Sequence, residues 1–191
     1  MDADKFDRVE ITNSQMLWDW LEANASRRSS LWLVTYKRHQ GAAYVSRDEV
    51  LDALVAFGWI DGRRMALDDA RTMQLIGPRK QNAWAESYCE RAERLIENGW
   101  MRPRGLQAVT EAKEAGLWRA SPHVDKLVVP EDLAQALAIV GGARALWDAA
   151  PPAYRRNVLR WIDNARKSDT RARRVAVVVD TTARNQRVPQ M

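Results

Sequence analysis

The chain has 191 residues, 46% hydrophobic and 29% charged, with a formal net charge of +5. That length and balance fit one domain, or one domain with a helical extension, and exclude disordered and collagen-like chains. No apolar run approaches the roughly 18 residues of a membrane-spanning helix, and a single cysteine, Cys89, excludes an intrachain disulfide framework and fits a reducing compartment.

The acidic N-terminus, Asp2 to Asp7, lacks the basic and apolar stretches of a secretory signal, so a cytoplasmic location is expected. Val9 and Ile11 alternate with polar neighbours and predict a short first strand. Thr12-Asn13-Ser14-Gln15 reads as a capping box in which Thr12 caps and Gln15 reaches back. The helix it opens carries Met16, Leu17, Trp20 and Leu21 on one face. Leu31–Tyr36, apolar on both faces, predicts a central strand covered from two sides. After a turn at His39-Gln40-Gly41, a second box, Ser46 to Glu49, opens a helix with Val50, Leu51, Leu54 and Val55 along one stripe. Gly58 fits the left-handed position that stops it. A hairpin follows, with Met65 and Leu67 on one arm, Asp68-Asp69-Ala70 at the turn, and Met73 and Leu75 on the other. Gly77-Pro78 ends it.

Trp84, Tyr88, Ala92, Leu95 and Ile96 stand at helical spacing, closed by Asn98-Gly99. Pro103 fits the first turn of the next helix, which carries Leu106 and Val109 and stops at Gly116. Residues 121–130 read as a linker. Helices are expected at 131–139, 143–149 and 152–166. Val175–Val179 has strand-like propensity, yet Val175, Val178 and Val179 also share a helical face, so the last segment from about Asp169 is read as helix. Together these elements predict an α+β domain over 1–120, with a small antiparallel or mixed sheet packed with helices. An all-helical region over 131–183 and a flexible tail over 184–191 follow.

Several ordered stretches carry a family likeness: Phe57-Gly58-Trp59-Ile60-Asp61-Gly62, Pro78-Arg79 with Trp84, Arg94-Leu95-Ile96 ahead of Gly99, Met101, Pro103 and Gly105, then Gly116 and Trp118, and later Pro130 with Asp132, Tyr154-Arg155-Arg156, Trp161-Ile162 and Thr170-Arg171. Over about residues 30 to 175 the chain resembles the bacterial YdeI/OmpD-associated family, also described as bacteriocin-protection proteins. The resemblance implies an α+β part followed by a helical part, and a role in resistance to cationic peptides or bacteriocins. It supplies no catalytic residue. The family's link to an outer-membrane porin is not expected here, because no signal precedes residue 1. Tyr88 stands where relatives are expected to carry Asn, so no polar role is expected at that position.

His39, Cys89 and His123 lack any paired ligand spacing, so no metal is expected. No Gly-rich phosphate cradle occurs either, and no cofactor is expected. Cys89 near Arg91 or Arg94 offers a nucleophile, but reads more simply as a buried helix residue. The sharper constellation is the helix-to-strand junction Trp59, Asp61 and Arg63, with Arg79 and Trp84 at the far end of the hairpin. An aromatic floor with guanidinium forks suits an anion or a base; the plainer reading is Trp59 stapling a helix to the sheet and Asp61 pairing with an arginine.

Residues 151–175 hold eight basic residues against two acidic ones, so the rest of the chain is slightly acidic. Arg155, Arg156, Arg160, Lys167, Arg171 and Arg174 make the candidate face for an anionic partner: an acidic protein, a nucleic acid or a small anion. Alternatively, those arginines pair with carboxylates of the chain itself. The leading expectation is a non-enzymatic binding or stress-protection protein. A nucleic-acid-binding module and an enzyme on a small anionic substrate, with Asp61 as acid/base, are the alternatives.

Overall fold

The computed structural model describes residues 5–80 and 83–189. The chain divides into two compact units, the first ending at Ala120 and the second beginning at Ser121.

In the first unit, β1 (Arg8–Glu10) leads into α1 (Ser14–Ala23). The cap of α1 is Asn13 rather than Thr12: its side chain accepts the Met16 N–H at 2.8 Å. Leu17 and Leu21 then face the core, while Met16 is exposed. β2 (Leu31–Tyr36) pairs in parallel with β1 and antiparallel with β4 (Arg71–Pro78), and β4 pairs antiparallel with β3 (Trp59–Ala66). Among the described residues the sheet is four-stranded, in the order β1-β2-β4-β3. Its two outer strands are therefore the three-residue β1 and β3, whose register with β4 is broken by an irregularity between Asp61 and Arg64.

Between β2 and β3 a short 3-10 stretch (Arg38–Ala43) leads to α2 (Arg47–Ala56). The expected capping box holds here: Ser46 Oγ accepts from Glu49 N–H, and Glu49 Oε2 accepts from Ser46 N–H at 2.8 Å. Gly58 ends α2 with φ +70°, and a Cβ there would sit 2.8 Å from the Arg104 carbonyl oxygen. An L-residue would be strained at that φ and crowded as well. Both faces of β2 are covered, as expected. Leu31 and Leu33 join the main core under α1 and α2, and Trp32 and Val34 pack with Met73 on the other side.

Trp84 is not part of the next helix. α3 runs Glu86–Glu97, and Trp84 lies ahead of it, bridged to Trp118 after α4 (Pro103–Glu114). On α3, Cys89, Ala92 and Leu95 turn inward while Ile96 is exposed; on α4, Leu106 is exposed and Gly105, Ala108, Val109 and Ala112 are buried. Small residues on that face let α4 approach α2 closely. Two arginines tie α3 to α2: Arg91 pairs with Asp48 at 2.7 Å and with Asp52, and Arg94 pairs with Asp52 at 2.6 Å.

The second unit opens with α5 (Pro122–Asp125), whose Val124 is fully buried with Leu133 and Ile162. Residues 121–130 therefore contribute to that core and do not form a free linker. α6 (Glu131–Ile139), α7 (Ala143–Ala149), α8 (Pro152–Asp163) and α9 (Ser168–Ala183) follow. Val175, Val178 and Val179 pack as one helical face against Leu137, Trp147 and Val158. Helical spacing with a buried stripe outweighs the local strand preference of the valines. Of the tail expected over 184–191, residues 190–191 lie outside the described residues; in the described part Val188 is 0% exposed and its N–H donates to the Tyr154 hydroxyl at 3.1 Å, so that part is anchored. No described helix is long and apolar enough to cross a membrane.

Candidate functional site

The junction residues separate into three places. Trp59 is 1% exposed and packs edge-to-face on Trp20 at 5.8 Å, as a core anchor with no face left for a ligand. Arg63 lies exposed on β3, with Nη2 3.4 Å from Met65 Sδ. Asp61, Arg79 and Trp84 do converge, joined by Gln74 of β4 and by Tyr88 and Cys89 of α3.

β3 and β4 set Asp61 and Gln74 side by side, and the Gln74 amide donates to Asp61 Oδ2 at 2.9 Å. The Tyr88 hydroxyl donates to Asp61 Oδ1. Tyr88 therefore makes a polar contact, where no polar role was expected. Burial and the Asp61 carboxylate both push the Tyr88 hydroxyl well above the ordinary tyrosine range, so it stays a donor.

Arg79 follows β4 and is held at its backbone, with its N–H donating to the Gly58 carbonyl at 2.9 Å. Its guanidinium lies over the Trp84 ring, with Cζ 3.8 Å from the ring centroid and 5.4 Å from that of Tyr88. Arg79 is 6% exposed, and its Nε and Nη1 are buried without a hydrogen-bond partner among the described residues. Burial pulls its pKa down to about 10, opposed by the nearby Tyr88, Cys89 and Asp61. The stacked rings hold the cation, and the carboxylate is held apart by its own two donors. In this cluster both carboxylate oxygens of Asp61 accept a side-chain hydrogen bond beside a buried cation.

Cys89 is fully buried, burial raises its thiol pKa against the opposing backbone of Arg119, and Sγ reaches the Trp84 carbonyl at 3.9 Å. Arg91 and Arg94, the cations expected to activate it, are spent on Asp48 and Asp52.

In the second unit the candidate basic face is partly neutralised from within. Arg171 binds Asp132 through two bonds of 2.6 and 3.0 Å, Arg160 reaches Asp125 at 3.4 Å, and Arg155 lies 3.9 Å from Asp148. Arg155 and Arg156 are half-buried, and Lys167 is exposed. Arg174 donates to the Trp161 carbonyl and stacks 5.1 Å from that ring. Trp161, Thr170, Arg173, Arg174 and Val177 line a groove of about 260 Å³ between α8 and α9. Arg173 is exposed there. Sequence reading had counted Arg173 among the charges but had not singled it out, and Trp161 entered only as part of the family likeness. The i, i+3 spacing of Thr170 and Arg173 was the available signal.

An α+β unit with a buried, ring-stacked guanidinium, followed by a helical unit with a groove of arginine and tryptophan, defines the class. The family described as Domain of unknown function (DUF8412) matches residues 9–108, more than half of the chain, and the chain belongs to it. The family described as Bacteriocin-protection, YdeI or OmpD-Associated, which the sequence resembles, matches residues 126–185, within the second unit. The likeness drawn from the sequence thus divides between two family models. No curated protein and no solved structure matches the chain.

Proposed function

We propose that the protein is a non-enzymatic binding protein, protective in the sense of the family description, that engages an anionic partner through the α8–α9 groove. The observation that carries this reading is the groove itself. Trp161, Thr170 and the exposed Arg173 line one open surface beside Arg174, which is held on Trp161, while Arg160 and Arg171 are held by aspartates. A planar fork beside a ring recognises a phosphate or carboxylate at hydrogen-bonding range and stacks on attached planar groups. The engagement of Asp61 by two donors supports binding over acid–base chemistry in the first unit. A cytoplasmic location belongs to this reading, and recovery of the full chain in a periplasmic extract would revise it.

The test is fluorescence anisotropy of a labelled DNA duplex, a labelled single strand and a poly-glutamate peptide, titrated with the full chain at several salt concentrations. Saturable binding that weakens log-linearly with salt is expected for at least one of the three, and Arg173→Glu, exposed and outside the core, removes it with melting unchanged. Preference for a nucleic acid over poly-glutamate selects the nucleic-acid reading. No binding at low salt to any of the three, or binding indifferent to Arg173→Glu, overturns the proposal.

A further inference from the structure

In the first unit, α1 and the turn after α3 bring two indoles to one open corner. The rings of Trp18 and Trp100 stand 6.3 Å apart at 85°, and Phe57 packs against Trp18 at 5.5 Å. Trp100 is 53% exposed, the most exposed aromatic among the described residues that carry large apolar side chains to the surface. With Gln15, Asp19, Glu22 and Arg102 on the rim, these rings line a groove of about 400 Å³, the size of a small-ligand site.

The corner already draws a cation from the chain itself. Arg102 Cζ lies 5.3 Å from the Trp18 centroid and 5.8 Å from that of Phe57. Its charge is matched by Glu22, 3.4 Å from Nε, and its Nη1 donates to the Trp100 carbonyl at 3.4 Å. Asp19 is different. It accepts the Gln15 amide at 2.8 Å, and among the described residues no cation lies within ion-pair distance of it. An exposed ring face beside a carboxylate without a counter-charge favours a weakly hydrated cation. Shape narrows the class. Arg102 already occupies the Trp18–Phe57 side of the corner, whereas Trp18 and Trp100, at 85° to each other, offer two ring surfaces that a compact tetrahedral cation touches on two sides.

From this geometry we infer that the Trp18–Trp100 corner binds a small alkylated ammonium ion, with Asp19 as its counter-charge. The site is in the other unit from the anionic-partner groove and stands independently of it.

The probe is tetramethylammonium, followed through the indole N–H resonances of the full chain, with Trp100 assigned from the Trp100→Phe spectrum. Saturable shifts of the Trp18 and Trp100 signals are expected. Asp19→Asn weakens binding about tenfold and Trp100→Ala abolishes it, both at exposed positions with melting unchanged. Three controls set the limits. Equal shifts from neutral 3,3-dimethylbutan-1-ol would mean that the groove reads only apolar shape. Competition by benzoate would mean that Arg102 makes it an anion site. Binding of guanidinium without tetramethylammonium would remove the tetrahedral class. Any of these, or an unchanged affinity in Trp100→Ala, overturns the inference.

Discussion

Arg79→Met exchanges a buried cation for an uncharged, flexible side chain that still covers Trp84. With the guanidinium pKa pulled down to about 10, and about 1.4 kcal/mol for each pH unit, holding the charge in the fold costs about 3 kcal/mol. Stacking on Trp84 and Tyr88 returns about 1–2 kcal/mol of that, and Asp61 keeps both its donors when the charge is gone. The variant is therefore expected to be more stable than the parent by about 1–2 kcal/mol, as for other buried charges replaced by apolar groups. The sign has a pH signature. A base whose folded pKa lies below its unfolded one penalises the fold while it is protonated. The penalty is fully present below about pH 10 and lifts above it, so the gain from Arg79→Met shrinks at higher pH. Urea denaturation at pH 7 and pH 10.5, read by tryptophan emission and far-ultraviolet circular dichroism, measures both. A loss of about 2 kcal/mol or more at pH 7 would refute the reasoning, since it would mean that Nε and Nη1 are held by a partner the fold depends on.

Three further outcomes are expected. Gly105→Ala places a Cβ 2.2 Å from the Ala56 carbonyl oxygen and 2.9 Å from Met101 Cε, so α4 must move off α2, at about 3 kcal/mol in urea denaturation; an unchanged midpoint would show that the helices give way freely. Tyr88→Phe leaves Asp61 with Gln74 alone and costs about 1–2 kcal/mol by the same measurement, and a neutral result would make the phenol dispensable. In the second unit, Arg171 holds the Asp132 carboxyl below the usual aspartate range. Its stabilisation is present above the ordinary aspartate pKa and is lost as pH falls through the lowered value. Asp132→Asn should thus flatten the acid limb of the melting profile and remove about 1 kcal/mol at neutral pH; identical acid limbs would count against the pair.

Strand and helix positions were legible where periodicity met a stop signal. Ser46–Glu49 with Gly58, and Leu31–Tyr36 with apolar side chains on both faces, stand where the pattern placed them. Small rotations were not legible. Thr12 and Asn13 are both good caps, and only the backbone decides which accepts the Met16 N–H, which in turn turns Met16 outward. Trp84 fits the α3 stripe by spacing but is taken out of the helix by its pairing with Trp118, a long-range contact that local propensity does not register. At the site, the pattern singled out Asp61, Arg79 and Trp84, which the fold brings near one another. It included Trp59 because ligand-binding side chains often sit where a helix gives way to a strand, and only the core shows that Trp59 is swallowed while Asp61 meets Tyr88. The charge count of residues 151–175 was accurate, yet charge along a chain carries no information on which arginine meets Asp132, Asp125 or Asp148.

The order β1-β2-β4-β3 has a consequence for what the protein does to its neighbours in a crowded solution. One lateral border is a strand of three residues, too short to template another chain. The other is β3, where Arg63 and Arg64 are exposed and the pairing register slips beside them. A foreign strand approaching that border meets two like charges and a kinked run of backbone donors. The molecule therefore ends its own sheet from within, and fibrillar growth by lateral addition is closed at both borders without a second protein to cover them.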